Sequence, residues 1–111
     1  MDYSLKIYET HSGTEPLTDW LKSLKDQKAR IAIRMRLDRM RLGNFEYCEP
    51  VGEGVSEMKI DLGPGYRVYY GMIGRTIVLL LCGGDKKTQD KDIRRALEFF
   101  RDHKQREKKN A

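Results

Sequence analysis

Residues 55–72, VSEMKIDLGPGYRVYYGM, decide the fold. On either side of Gly63-Pro64-Gly65 the chain alternates apolar and polar side chains, the period of a strand and not of a helix. In the first run Ser56, Met58, Ile60 and Leu62 share one face, and Glu57, Lys59 and Asp61 the other. In the second, Tyr66, Val68 and Tyr70 lie opposite Arg67 and Tyr69. Side-chain direction repeats every two residues, so a hairpin with its polar residues on one shared face must pair odd numbers with odd and even with even. The simplest connection of that parity is a three-residue turn over Gly63-Pro64-Gly65, where glycine is free to take positive φ. This register sets Asp61 opposite Arg67 and Lys59 opposite Tyr69.

Working outward, a third strand is expected over 75–82. It is apolar on both faces, which suits a central strand covered on both sides. Residues 3–9 alternate as a strand, with Tyr3, Leu5 and Ile7 on one face and Lys6 and Tyr8 on the other. Thr14 is placed to cap a short helix that has Pro16 in its first turn and Leu17, Trp20, Leu21 and Leu24 at helical spacing. The segment KARIAIRMRLDRMRLGN, residues 28–44, fits both periods, but its length of roughly four turns decides for helix. Its stripe is Ala29, Ile33, Leu37 and Met40, with Gly43 as the stop. Arg30, Arg34 and Arg41 fall on its exposed face, with Arg36 and Arg39 beside the stripe. Residues 45–54, FEYCEPVGEG, read as a loop. A closing helix over 89–103 buries Ile93, Ala96, Leu97 and Phe100, and the tail KQREKKNA is expected to fray.

A chain of 111 residues suits one domain, 1–111. Its 39% hydrophobic content argues against disorder, and 22 Lys+Arg against 17 Asp+Glu, a net charge of +5, favour a polyanionic partner. The first residues do not resemble a signal peptide and no apolar run is long enough to span a bilayer, so a cytoplasmic location is expected. Cys48 and Cys82 lack metal or redox spacing and read as reduced thiols, Cys82 buried and Cys48 in the loop. The two histidines, His11 and His103, sit far apart and are expected to be solvated. No serine lies in a nucleophile elbow, and GGDKKT lacks the glycine that the Walker pattern places before lysine.

The segment CGGDKKTQDKDI, residues 82–93, offers a flexible strand exit at Gly83-Gly84, a cap at Thr88, and Asp90 and Asp92 to suit the helix dipole. Lys86 and Lys87 remain over, because cations are unfavourable at a helix N-terminus. Arg67 has two readings. Paired with Asp61 across the hairpin it contributes about 0.2–1 kcal/mol. Alternatively it shares an open concave surface with Lys59 and Tyr69, rimmed by Lys86 and Lys87. That surface suits an RNA strand, since cations neutralise phosphate in a pentacovalent transition state and an aromatic ring stacks on a base. The Arg30, Arg34 and Arg41 face reads either as solvated or as a contact for phosphate or a protein partner.

The combination PVGEGVSEMKIDLGPGYRVYYG followed by IVLLLCGGDKKTQDKDIRRA resembles the addiction-module killer proteins, the HigB-like branch of the RelE/ParE toxin superfamily. The resemblance covers nearly the whole chain and implies a RelE-like α+β fold. That fold has an N-terminal strand and two helices, then a curved antiparallel sheet of three further strands and a C-terminal helix. It implies the toxin of a type II toxin–antitoxin system, held in check by an antitoxin that often carries a helix-turn-helix domain. The implied activity is ribosome-dependent endoribonuclease cleavage of mRNA without metal or other cofactor. The ParE branch shares the shape but targets gyrase, and a non-catalytic RNA-binding or antitoxin-binding relative is the third reading. Residue by residue, Arg67 matches an arginine that contacts the scissile phosphate, and Lys59 stands where many members carry arginine. Lys86 and Lys87 match a basic loop, and Gln89 and Asp92 belong to the signature. The implied chemistry is attack of a ribose 2′-hydroxyl on its own phosphate, with Lys87 or Lys59 moving the proton, Arg67 stabilising charge, and Tyr69 stacking or orienting. Tyr69, Lys86 and Gln89 are thus the expected substrate contacts.

Overall fold

A computed structural model describes residues 2–110. The architecture is α+β, with a mixed five-stranded sheet between two helices on one face and a long third helix on the other. In chain order the elements are β1 (Ser4–Ile7), α1 (Pro16–Ser23), α2 (Gln27–Arg41), β2 (Cys48–Gly52), β3 (Val55–Ile60), β4 (Tyr66–Ile73), β5 (Ile77–Asp85) and α3 (Gln89–Lys109). A single 3₁₀ turn, Lys86–Thr88, joins β5 to α3. The strand order is β1-β5-β4-β3-β2. Among the described residues, no helix is long and apolar enough to cross a membrane.

The strands are more numerous than expected, and one runs the other way. β1 pairs parallel with β5, so the sheet is not antiparallel throughout. β2 lies in the segment read as a loop, takes Cys48 into the sheet, and shifts register between Pro50 and Gly52. Proline and glycine hid it, and both are at home on an irregular edge strand.

The hairpin keeps the expected parity and changes the expected register. Lys59 stands opposite Arg67, and Glu57 opposite Tyr69, two residues from the simplest alignment. Residues 61–65 therefore form a longer loop, and Asp61 falls outside the ladder. Even-numbered Met58, Ile60, Tyr66, Val68 and Tyr70 pack with Leu17, Ala29, Ile33 and Met40 from α1 and α2. Odd-numbered Val55 and Tyr69 pack with Ala96 and Phe100 of α3. A face read as solvent-facing is thus largely roofed by α3, and Tyr69 is fully buried.

The glycine pair serves close packing instead of a flexible exit, because both glycines lie inside β5. A Cβ on Gly83 would overlap the Trp20 ring from α1, and one on Gly84 would overlap the Asp92 carboxylate from α3. Each face of the strand end therefore admits one large group because a side chain is missing. Thr88 also departs from expectation: it makes no capping bond and instead donates its hydroxyl to Asp92 at 2.5 Å. Likewise Thr14 does not cap α1; the N-cap position is Glu15, with no side-chain capping bond.

The closing helix runs on to Lys109, through most of the tail expected to fray. What holds it is a polar cluster. Tyr8 donates to Asp102 at 2.5 Å, Arg106 approaches Asp102 at 2.7 Å, and Arg106 also donates to the Glu9 carbonyl. Exposed His11 joins at 3.5 Å from Asp102, while His103 is half-buried instead of solvated.

Two predictions follow from this packing. Gly83→Ala and Gly84→Ala should each cost about 1–3 kcal/mol or more by overpacking, seen as a lower urea midpoint; unchanged midpoints would contradict the fit. Burial, and then Asp102, push the Tyr8 phenol up to about 12. Its contribution is complete below its ordinary value of about pH 10 and is lost as pH rises through the folded value. The Tyr8 hydrogen bond, with Arg106 behind it, holds the Asp102 carboxyl below its ordinary range. That contribution is present above about pH 4 and lost as pH falls further. Melting curves of Tyr8→Phe should therefore show shallower stability losses than wild type at both the alkaline and the acid extreme.

Candidate functional site

Beyond the last β2–β3 pair, Cys48 with Met58, the β3–β4 hairpin continues without β2 beside it. There it forms one wall of a groove of about 810 Å³ whose other walls come from α2 and the 3₁₀ turn. Charged side chains in its lining are Arg36, Arg39, Lys59, Arg67, Lys86 and a single carboxylate, Asp61. Five cations against one anion make this concavity electropositive, and Met35, Tyr47 and Leu62 add apolar surface.

Each cation is positioned by a distinct local device. Arg36, one turn below Met40 on α2, bridges to the sheet by donating to the carbonyls of Lys59 at 3.1 Å and Glu46 at 2.5 Å. Lys59 is 42% exposed and reaches Glu49 at 3.3 Å. Lys86 is tied to the hairpin by its backbone N–H, which donates to the Gly65 carbonyl at 3.0 Å. Asp85 supplies the cap for the turn, accepting from the backbone of Lys87 at 2.9 Å and Thr88 at 3.2 Å. That carboxylate offsets the unfavourable placement of two lysines at a helix start.

Arg67 is the most constrained member. Its side chain is 11% exposed and its Nε lies 3.4 Å from Glu57, itself only 3% exposed. Alignment is too poor for a hydrogen bond from Nε. Gln89 donates to both Glu57 oxygens, at 3.0 and 3.3 Å. The partner of Arg67 is therefore Glu57, a diagonal neighbour from β3, and not Asp61.

Of the residues proposed from sequence, Lys59, Arg67 and Lys86 converge on the groove. Lys87 is exposed on the same turn but does not line it. Gln89 acts one step back, through Glu57. Tyr69 is not on an open surface: it lies under α3, and burial pushes its phenol well above the ordinary range, with Glu57 and Asp92 adding to the effect. The fully covered ring cannot stack on a ligand in this arrangement. Arg30, Arg34 and Arg41 are elsewhere. Arg30 and Arg34 line a second groove of about 590 Å³ with Ile7 and Ile31, while Arg41 pairs with Asp38 at 3.5 Å. Burial pushes the Cys82 thiol up to about 12, which removes it as a nucleophile.

Sequence reasoning missed Tyr47 and gave Arg36 and Arg39 no part in the site. Tyr47 lay in a segment read as a featureless loop. Its exposure, 69%, and its left-handed backbone, φ 60°, depend on the turn between α2 and β2.

The Arg67–Glu57 pair yields a test. Removing the arginine alone leaves a carboxylate buried without its cation, so Arg67→Ala should cost about 3 kcal/mol or more. The double change Glu57→Gln with Arg67→Met should recover most of that loss in a chemical melt. Equal destabilisation by the single and double variants would contradict a coupled pair.

Comparison with known proteins adds two findings. The family model described as phage-derived protein Gp49-like (DUF891) matches residues 19–101, a span that includes every residue of the basic groove. A protein of Haemophilus influenzae described as an uncharacterized protein is 48% identical over 77 residues, which cover 69% of this chain and 78% of that one.

Proposed function

The chain belongs to the Gp49-like family of phage-derived proteins, and from that premise we propose that it is the toxin of a type II toxin–antitoxin module. In this reading it has a RelE-like, HigB-like fold and acts as a ribosome-dependent endoribonuclease on mRNA in the cytoplasm. The observation that carries the proposal is the groove in which Lys59, Arg67 and Lys86 converge beside Arg36 and Arg39.

Such a concavity matches a single RNA strand, whose phosphates need several cations at once. The reaction proposed is internal transesterification. The ribose 2′-oxygen bonds to the adjacent phosphorus, its proton leaves, and the 5′-oxygen of the next nucleotide departs and takes up a proton. The products are a 2′,3′-cyclic phosphate and a free 5′-hydroxyl. Arg67, held by buried Glu57, is suited to meet the non-bridging oxygens as charge accumulates. Lys59 is assigned the proton transfer because it lines the groove, and Lys87, just outside it on the same turn as Lys86, is the second candidate. Gln89 is a positioning residue in this scheme, acting on Arg67 through Glu57. The reading uses side-chain cations and no metal.

A partner that neutralises the toxin needs a surface of its own. The second groove supports an antitoxin contact there, since exposed Ile7 and Ile31 stand beside Arg30 and Arg34 and would suit an apolar segment flanked by acids.

The test is to map mRNA ends after induction in cells. The expected result is growth arrest with codon-phased cuts, and a loss of roughly 10²-fold or more in cleavage rate for Lys59→Ala. Intact mRNA with gyrase-trapped DNA breaks would replace the nuclease reading by a gyrase-directed one, and arrest with neither would replace it by a binding-only one.

A further inference from the structure

With Tyr69 buried, the base contact expected from it is lost, and Tyr66, which also lines the groove, is itself buried. Tyr47 fills that gap. It lines the same groove as Lys59, Arg67 and Lys86, and the residue as a whole is 69% exposed. The Arg36 guanidinium carbon lies 5.2 Å from the ring centroid, so one face of the ring rests on a cation. Its backbone is held from two directions. The carbonyl of Tyr47 accepts from the Lys59 N–H at 3.0 Å, and the preceding carbonyl, Glu46, accepts from Arg36. The residue takes φ 60°, a conformation costly for a side chain with a Cβ and kept where the surroundings over-determine it. A large apolar ring kept exposed at such a position gains nothing for the core.

We infer that Tyr47, backed by Arg36, is the platform on which one base of the bound RNA strand stacks, and that it helps set which nucleotide is held at the cut. The inference rests on the nuclease reading above and names the base contact of that same groove. Its form is a layer of guanidinium, phenol ring and nucleobase, with the base's own phosphate directed toward the lysines. Stacking tolerates any base but is strongest for large ones, so the preference expected is for a purine over a pyrimidine at that position.

The experiment measures cleavage of ribosome-bound model mRNAs, and of the same RNAs free in solution, by the wild-type chain and its variants. Tyr47→Ala should raise KM by about 5- to 150-fold while kcat falls much less, the scale of one lost base stack. Tyr47→Phe should behave as wild type. Tyr47→Gly, which relieves the positive φ but also lacks the ring, should behave as Tyr47→Ala. An RNA carrying an abasic residue at the stacked position should be cut equally by the wild type and by Tyr47→Ala. If the wild type cuts and Tyr47→Ala matches it on every substrate, the platform is wrong and the nuclease reading stands. If Tyr47→Gly keeps full activity while Tyr47→Ala loses it, backbone relief accounts for the effect and the platform is again wrong. If the wild type cuts neither substrate, both fall together.

Discussion

The groove and the helix behind it depend on one buried carboxylate. Glu57 sits on the α3 face of β3 with 3% of its side chain exposed, where an unpaired charge would cost several kcal/mol. It has two kinds of partner, the Arg67 guanidinium from the next strand and the Gln89 amide from the first turn of α3. Satisfying it therefore fixes the hairpin register, the position at which α3 begins and the direction of Arg67. The same contact that makes the interior tolerable holds an arginine at the edge of an open basic concavity.

The strand end at Gly83-Gly84 serves the same arrangement from the neighbouring strand. Missing side chains there let Trp20 close one face of β5 and Asp92 the other, which brings the first turn of α3 down onto the sheet. The short 3₁₀ turn between them is thereby pinned, capped by Asp85 and bonded to Gly65 of the hairpin. Lys86 is thus delivered to the groove by packing on both sides of a single strand.

Much of this was legible in the sequence, and the exceptions have physical reasons. Alternation gave the faces of β3 and β4 correctly, including Arg67 and Lys59 on one side, because side-chain direction is local. It could not show that α3 roofs part of that side, so Tyr69 was expected at an open surface and Glu57 at solvent. The register differed by two residues, since parity allows any even shift and the choice is made by Glu57 finding Arg67. The edge strand β2 was hidden by Pro50 and Gly52, and the parallel pairing of β1 involves a partner more than 70 residues away. The charged tail was read as frayed because Arg106 looks solvated until Tyr8, Glu9 and Asp102 gather around it. Within the site, the cations came from recognisable strands and a lysine pair. Tyr47 came from a loop whose conformation is set by Arg36, eleven residues earlier and on a different element.

The central claim is that RNA occupies the groove between α2 and the β3–β4 hairpin. Its most direct test is a titration of the isotope-labelled chain with a short single-stranded RNA, followed residue by residue by nuclear magnetic resonance. The account predicts that the Lys59, Arg67 and Lys86 amides and the Tyr47 ring shift together, with the outer face of α3 unmoved. Shifts centred instead on Ile7, Arg30, Ile31 and Arg34, or no localised shift at all, would contradict it.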